Sequence, residues 1–484
     1  MSVLSEKLSY FTEQKDQNIA DLAKRSGIER STLYQYLKGK RPLQNRAQLE
    51  ALMSELHLTP DERTEVMEAY ELARVGVKIY NRRRKVREIL GSLLTVESGS
   101  FEETGTEPDS YFCIENQNHF IKGELEVNRL TNQIIREAMI RGEEIKLLIQ
   151  PDYSLLMESL MLTGNVHKDT KVVQIICLEG DSGQDGCANL ESFRWVLRYG
   201  IGIQNYEPRY YYGKTAEHYG VMNIMPYLIL TEQYAIQISS DQKAAVLHNN
   251  FEIILYFSKI FEKMYQHSCP MMSRVDGFGG GQAKWGLDYI RQSDFSNIME
   301  MSSGLCSIQF WDERLIRKYI NKNIPDCEAM IESYVAYTSL LYQKKRQGQT
   351  TVLVNASYVE EFIRTGVFRE YPAVFFAEPV SVADRRILIE KILIALEEGW
   401  YHIRIMPEDI FSLSYHWEIL VQRGKNLILQ YAFENHFRIF QFEETDILEA
   451  IYDFLETTSA GTNVLDDRQS AALLRKWSDE ILGS

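Results

Sequence analysis

No run of about 18 apolar residues occurs in this 484-residue chain, so no membrane-spanning helix is expected. The opening residues, Met-Ser-Val-Leu-Ser-Glu-Lys, are not a basic segment leading into an apolar core. They are therefore not read as a secretory signal, and a cytoplasmic, nucleoid-associated protein is expected. Cysteine is scarce and dispersed: Cys113, Cys177, Cys187, Cys269, Cys306 and Cys327 include no Cys-x-x-Cys pair. That spacing predicts reduced, mostly buried thiols and no zinc site. The nine histidines show neither His-x-x-x-His nor His-Glu-x-x-His, and there is no Gly-x-Ser-x-Gly elbow. The sequence thus carries no catalytic, metal or cofactor signature, and a non-enzyme is expected.

What is present is an uneven distribution of charge. The chain carries a net charge of −15, which taken whole disfavours a nucleic-acid partner. Residues 1–90, however, hold 17 Lys+Arg against 13 Asp+Glu, a balance of +4, and the remainder holds 36 against 55, a balance of −19. A basic head on an acidic body is the asymmetry expected if only the head meets phosphate. Length predicts several domains.

In the head, Leu4, Leu8 and Phe11 recur at helical spacing and predict a first helix ending near Gln14. Asn18 is placed to cap a second helix carrying Ile19, Leu22 and Ala23, with Asp21 where a capping box would put it. Gly27 supplies the residue able to turn sharply after that helix. A third helix follows through Lys38, with Leu33 and Leu37 inward and Arg30, Ser31, Tyr34, Gln35 and Lys38 outward. Gly39 ends it. Leu49, Leu52, Met53 and Leu56 form a further apolar stripe, and Thr59-Pro60 reads as the cap and first residue of another helix.

Leu22-Ala23-Lys24-Arg25-Ser26-Gly27-Ile28, Ser31-Thr32-Leu33 and Gly39-Lys40-Arg41 together resemble the XRE (Cro/phage-repressor) helix-turn-helix family, over about 70 residues. The resemblance implies an all-α lambda-repressor-like domain that binds double-stranded DNA as a homodimer, with the third helix in the major groove. It implies base reading by Arg30, Ser31 and Gln35, because Arg suits a guanine edge and Gln an adenine edge. Asn18, Thr32, Tyr34, Lys38, Lys40 and Arg41 are then backbone or groove contacts. Glu29 departs from that pattern: either it caps the third helix or it reads a cytosine amine. The basic run Arg82-Arg83-Arg84-Lys85 with Arg87 is read either as a phosphate clamp or as a connector docking on the acidic body.

The polar segment from Ser98 to Asp109 reads as a linker. Beyond it, strands alternate with helices, which argues for a large α/β (mixed α+β) body. Expected elements include a helix at Leu125–Arg141, strands at Ile145–Ile149 and Lys171–Leu178, a hairpin at Tyr227–Leu230 and Tyr234–Ile238, and a helix from Phe251. Strands are also expected at Tyr401–Ile405, Trp417–Val421 and Asn426–Tyr431, followed by a helix from about Glu444 to Leu455. Ala138–Pro151 can be set beside Ala395–Pro407, which suggests two related lobes. The divisions expected are 1–75 (helix-turn-helix), 76–110 (basic helix and linker), 111–270 (first lobe), 271–350 (connecting, largely helical) and 351–484 (second lobe). Two such lobes faintly resemble a phospholipase-D-like fold used as a catalytically dead sensor; that family's His-x-Lys signature is absent.

Candidate ligand residues in the body are few. Tyr206–Lys214, with Arg209, Tyr210, Tyr211 and Tyr212, could line a small-molecule effector site, pave a dimer interface, or simply be a packed edge. Asp276–Gln282 is rich in glycine but has no Gly-Lys-Ser/Thr, and reads as a loop between lobes. His402 and His416 lie in apolar surroundings and read as core residues. The function expected is a DNA-binding transcription regulator of bacterial type whose body dimerises and senses a small molecule or partner. The alternatives are a DNA-tethered enzyme, phosphodiesterase-like or nucleotide-processing, and a protein-interaction module.

Overall fold

A computed structural model describes residues 2–43, 45–93, 119–164, 170–180, 186–220, 223–277, 280–293, 295–302, 304–305, 307–408, 410–414, 416–433 and 436–483. The expected linker lies outside them. The chain forms two compact units, residues 1–84 with 183–187, and residues 85–182 with 188–484.

The first unit is helical: α1 (Val3–Gln14), α2 (Ile19–Ser26), α3 (Arg30–Leu37), α4 (Arg46–Glu55) and α5 (Pro60–Val75). Leu4, Leu8, Phe11, Leu22, Leu33, Leu37, Leu49, Leu52, Val66 and Tyr70 bury one core between them. Each such leucine contributes about 1.5–3 kcal/mol over its exposed state. Thr59 and Glu62 close a reciprocal capping box on α5, with Pro60 in its first turn. Helix α6 (Val77–Ser92) starts in the first unit and ends in the second.

The second unit holds two mixed sheets. The first lobe runs β1 (His119–Lys122), α7 (Glu124–Arg141), β2 (Ile145–Leu148), α8 (Ser154–Gly164), β3 (Val172–Glu179), α9 (Ala188–Gly202), β4 (Tyr206–Gly213), α10 (Thr215–Tyr219), β5 (Tyr227–Leu230), β6 (Ala235–Ile238), β7 (Ala244–His248), α11 (Phe251–His267) and β8 (Cys269–Pro270). The second runs β9 (Met272–Asp276), α12 (Gly280–Gln292), β10 (Ile298–Ser302), α13 (Glu313–Tyr319), α14 (Cys327–Lys345), β11 (Thr350–Asn355), α15 (Ala356–Thr365), α16 (Val382–Glu398), β12 (Tyr401–Met406), β13 (Trp417–Gln422), β14 (Asn426–Phe433), β15 (His436–Phe442), α17 (Thr445–Ser459) and α18 (Asp467–Leu482).

The sheet orders are β1-β7-β6-β5-β2-β3-β4-β8 and β12-β11-β10-β13-β14-β15-β9. Read in opposite directions, apart from the short β8, they are the same design. Three parallel strands (β2, β3, β4; β10, β11, β12) continue into four antiparallel ones (β5, β6, β7, β1; β13, β14, β15, β9). The counterpart of β2 is therefore β10, and β12 answers to β4. The similarity between Ala138–Pro151 and Ala395–Pro407 pairs strands two steps out of phase. The counterpart β10 is flanked by neither a helix-ending glycine nor a proline, so that local signal does not report which strands correspond. The segment 271–350, expected to be connecting and largely helical, supplies β9 and the central strand β10. A strand also leads into the glycine cluster at Asp276, and a helix leads out; Phe278 and Gly279 of that cluster lie outside the described residues.

The two lobes share one core. Phe193 of α9 packs edge-on against Phe442 of β15, with centroids 4.8 Å apart. Asn189 donates to the Asp446 carboxylate at 3.2 Å. Arg438 donates to the Ile201 carbonyl at 2.7 Å. Gly200 lies close under the tip of the Met272 side chain, 2.7 Å from where a Cβ would stand.

Candidate nucleic-acid interface

The interface is built outward from α2 and α3. Asn18 caps α2, its side-chain oxygen accepting from the Ala20 N–H at 2.8 Å. Asp21 lies in the first turn but closes no reciprocal box in the described contacts. At the far end Gly27 takes the left-handed conformation, φ 69°, which a side chain disfavours. The Ile28 N–H reaches back to the Ala23 carbonyl, and Ile28 enters the core. That turn sets the start of α3, whose Leu33 and Leu37 are buried. With that face pinned, Arg30, Ser31, Tyr34, Gln35 and Lys38 are exposed, and Thr32 is half-buried.

Glu29 resolves its two readings in favour of the cap. Its carboxylate accepts from the Ser31 N–H at 3.4 Å, the Ser31 hydroxyl at 2.5 Å and the Thr32 hydroxyl at 3.0 Å. The Ser31 hydrogen bond leads in holding its carboxyl below the usual range. The Ser31 and Thr32 hydroxyls are thereby oriented toward the helix start, with acceptor lone pairs left outward. Beyond α3, the Lys40 N–H donates to the Gln35 carbonyl at 2.9 Å and the Arg41 N–H to the same oxygen at 3.4 Å. These bonds hold both cations beside the exposed face.

A concave surface joins Ile19, Glu29, Arg30, Ser31, Tyr34, Gln35 and Lys40. It gathers all three expected base readers with Tyr34 and Lys40; Asn18, Thr32, Lys38 and Arg41 lie outside its lining. Ion pairs Lys7–Glu65 (2.6 Å), Lys15–Glu62 (3.0 Å) and Arg25–Glu55 (3.0 Å) tie the surrounding helices. Being partly exposed to solvent, each contributes little. Of the basic run, Lys85 pairs with Glu191 at 2.9 Å and with Glu88 at 3.2 Å, so this residue is engaged by carboxylates.

In strand β4, Arg209, Tyr210 and Tyr211 are half-buried and Tyr212 is exposed. Arg209 donates to the Ser268 hydroxyl and carbonyl, pairs with Glu207 at 3.3 Å, and lies 4.0 Å over the Tyr265 ring. Tyr212 donates to Glu444, Tyr210 sits edge-on to Tyr212, and Tyr211 edge-on to His218. His416 is buried and its ring nitrogen faces the Ala432 carbonyl at 2.9 Å. His402 is half-buried beside Asp467 at 2.8 Å.

Sequence reasoning missed a polar cavity in the second lobe, where α12 and α14 cover one face of the sheet. Glu300 and Ser302 of β10, Glu418 of β13 and Gln430 of β14 share that face through the strand register. The Lys345 ammonium lies 2.6 Å from Glu300, both side chains under a tenth exposed. Glu418 accepts from the Ser302 hydroxyl at 2.8 Å and from the Gln430 amide at 3.0 Å. Burial raises the carboxyl of Glu418 well above its usual range, with the charge of nearby Glu370 adding to it, and burial raises Glu370 likewise. The signal in the sequence was a lone glutamate in each of two otherwise apolar strands, Ile-Met-Glu-Met and Trp-Glu-Ile-Leu-Val.

A five-helix unit of this kind, with a capped α2, a glycine turn and an exposed α3, is a helix-turn-helix domain. Residues 7–63 match the family model of the Cro/C1-type HTH DNA-binding domain. No curated protein matches the chain. Among solved structures, phosphatidylserine synthase of Haemophilus influenzae Rd KW20 aligns at 10% identity and TM-score 0.24, over 76% of this chain and 92% of that one. TrmBL2, an archaeal chromatin protein described as having a novel mode of DNA binding, aligns at 11% identity and TM-score 0.22, over 50% of this chain and 84% of that one. At those TM-scores neither likeness bears on function. Among the described residues no helix is long and apolar enough to cross a membrane.

Proposed function

We propose that this protein is a sequence-specific transcription regulator that reads DNA with Arg30, Ser31 and Gln35 of α3. The observation that carries the reading is the exposed face of that helix, held outward by buried Leu33 and Leu37 after the Gly27 turn. Asn18 at the start of α2, with Lys40 and Arg41 after α3, would hold the phosphates on either side. Two heads are needed for half-sites about 34 Å apart, so the body is assigned to dimerisation. An apolar stripe on α11 supports that assignment: Phe251, Leu255, Tyr256 and Ile260 are all exposed, Phe251 at 73%. The acidic body would sense a small molecule that favours one arrangement of heads over another. A cytoplasmic, nucleoid-associated location follows from the same reading.

The test is a band shift with the DNA upstream of the protein's own gene, beside sedimentation equilibrium. Saturable, sequence-selective binding by a dimer is expected. Equal affinity for unrelated sequences would remove the regulator reading, and a monomer at micromolar concentration would remove the dimer.

A further inference from the structure

We propose that the polar cavity of the second lobe binds a small organic cation, a protonated primary amine with a short alkyl body. Glu300 lines this cavity, and its carboxylate oxygen Oε2 is buried and has no hydrogen-bond partner among the described residues. A buried acceptor without a donor is costly, and an ammonium brings three donors. The charge inventory agrees: among the described residues of the lining, Lys345 is the one cationic side chain, against Glu300 and Glu418. Once Glu418 is ionised, one negative charge is in excess; a cationic ligand compensates it, an anionic one adds to it and a neutral one leaves it.

The walls suit the same guest. Trp285 and Tyr289 stack at 5.5 Å between centroids, 6° from parallel, and Tyr337 stands beside Gly286. Ring faces attract a cation and also cover its alkyl part. Size limits the guest: a cavity of about 150 Å³ takes one benzene, so one of about 100 Å³ fits about four heavy atoms. An optimal ligand of four heavy atoms reaches a Kd of about 40 μM at best.

The role of such a cation as effector rests on the regulator reading; its binding does not. The experiment is calorimetric titration of the full chain at pH 8 with n-propylammonium chloride to 20 mM, beside 1-propanol and propionate. Saturable binding of the amine is expected, with both controls at least tenfold weaker. Glu418→Gln keeps the shape and the hydrogen-bonding capacity, and should weaken the amine about ten- to a hundredfold. Should that variant fold poorly, Gly286→Ala serves instead: its Cβ would stand 2.9 Å from the Tyr337 ring, and it should abolish amine binding. No saturation by 20 mM, propanol within threefold of the amine, or unchanged affinity in a folded variant would each overturn the site. A separate band shift with and without the amine tests the coupling. Amine binding that leaves DNA affinity unchanged removes the effector role and keeps the site. DNA binding without selectivity removes the regulator reading, and the titration alone then decides the site.

Discussion

Replacing Arg30 by alanine separates base reading from phosphate holding. Arg30 is exposed at the first position of α3, and in the proposed reading its guanidinium would meet a guanine edge with two hydrogen bonds. One such contact discriminates by about 1–3 kcal/mol. The proposed dimer would lose two, about 2–6 kcal/mol, so affinity for the best site should fall about 30-fold or more. Because no phosphate contact is lost, the slope of log affinity against log salt should stay as it was. Lys40→Ala gives the opposite pattern. Lys40 is held beyond the end of α3 by the Gln35 carbonyl, so its loss should weaken all sequences alike. The salt slope should shrink by about 0.9 for each phosphate contact removed, about 1.8 per dimer. Fluorescence anisotropy on a site selected from random DNA, repeated with each base pair changed and at several salt concentrations, reads both quantities. If Arg30→Ala lowers every affinity equally and flattens the salt slope, Arg30 is a phosphate contact and the assignment of base readers is wrong.

Three further outcomes are expected. Gly27→Ala has open space for its Cβ but φ 69°, so only backbone strain of about 1–2 kcal/mol applies; calorimetry should show the first unit melting about 5–15 °C lower, and an unchanged transition would contradict the left-handed turn. Lys345→Met strips the ammonium from buried Glu300 and should cost about 3–5 kcal/mol, read from the urea midpoint of the second unit. Lys345→Met/Glu300→Gln should recover most of that loss, and a double variant as weak as the single would refute the pairing. The affinity for n-propylammonium should rise with pH from about 5 to 8, up to tenfold per unit. The sign follows from Glu418 and Glu370, whose folded pKa values lie above the unfolded ones. Such groups destabilise the fold progressively as pH rises from the usual carboxylate range through the raised one, and a bound cation favours the ionised form that the higher pH produces. Glu300 and Lys345 face the same cavity, as do Tyr289, Tyr334, Tyr337 and Tyr371. Glu418→Gln should flatten the profile, and affinity falling with pH in the parent protein would refute the charge argument.

The amino-acid order by itself determined the head, because every device there acts over a few residues. Asn18 reaches Ala20, Gly27 turns the chain in place, Thr59 and Glu62 cap across one turn, and Leu33 and Leu37 sit one turn apart. Such contacts can be read from spacing. Even there, the side chain of Glu29 needed coordinates to be placed on Ser31 and Thr32. In the body, local patterns located seven of the fifteen described strands, and the pairing of the hairpin β5–β6 but not the order of the sheets. Which strands correspond between the lobes is a matter of sheet order, set by pairing between distant segments, and short similarities do not encode it. The cavity belongs wholly to tertiary structure. Glu300, Lys345 and Glu418 come from separate elements, and only the pairing of β10, β13 and β14 beneath α12 and α14 takes them out of water together. A buried charge owes its chemistry to what surrounds it, and those surroundings exist only once the chain has folded.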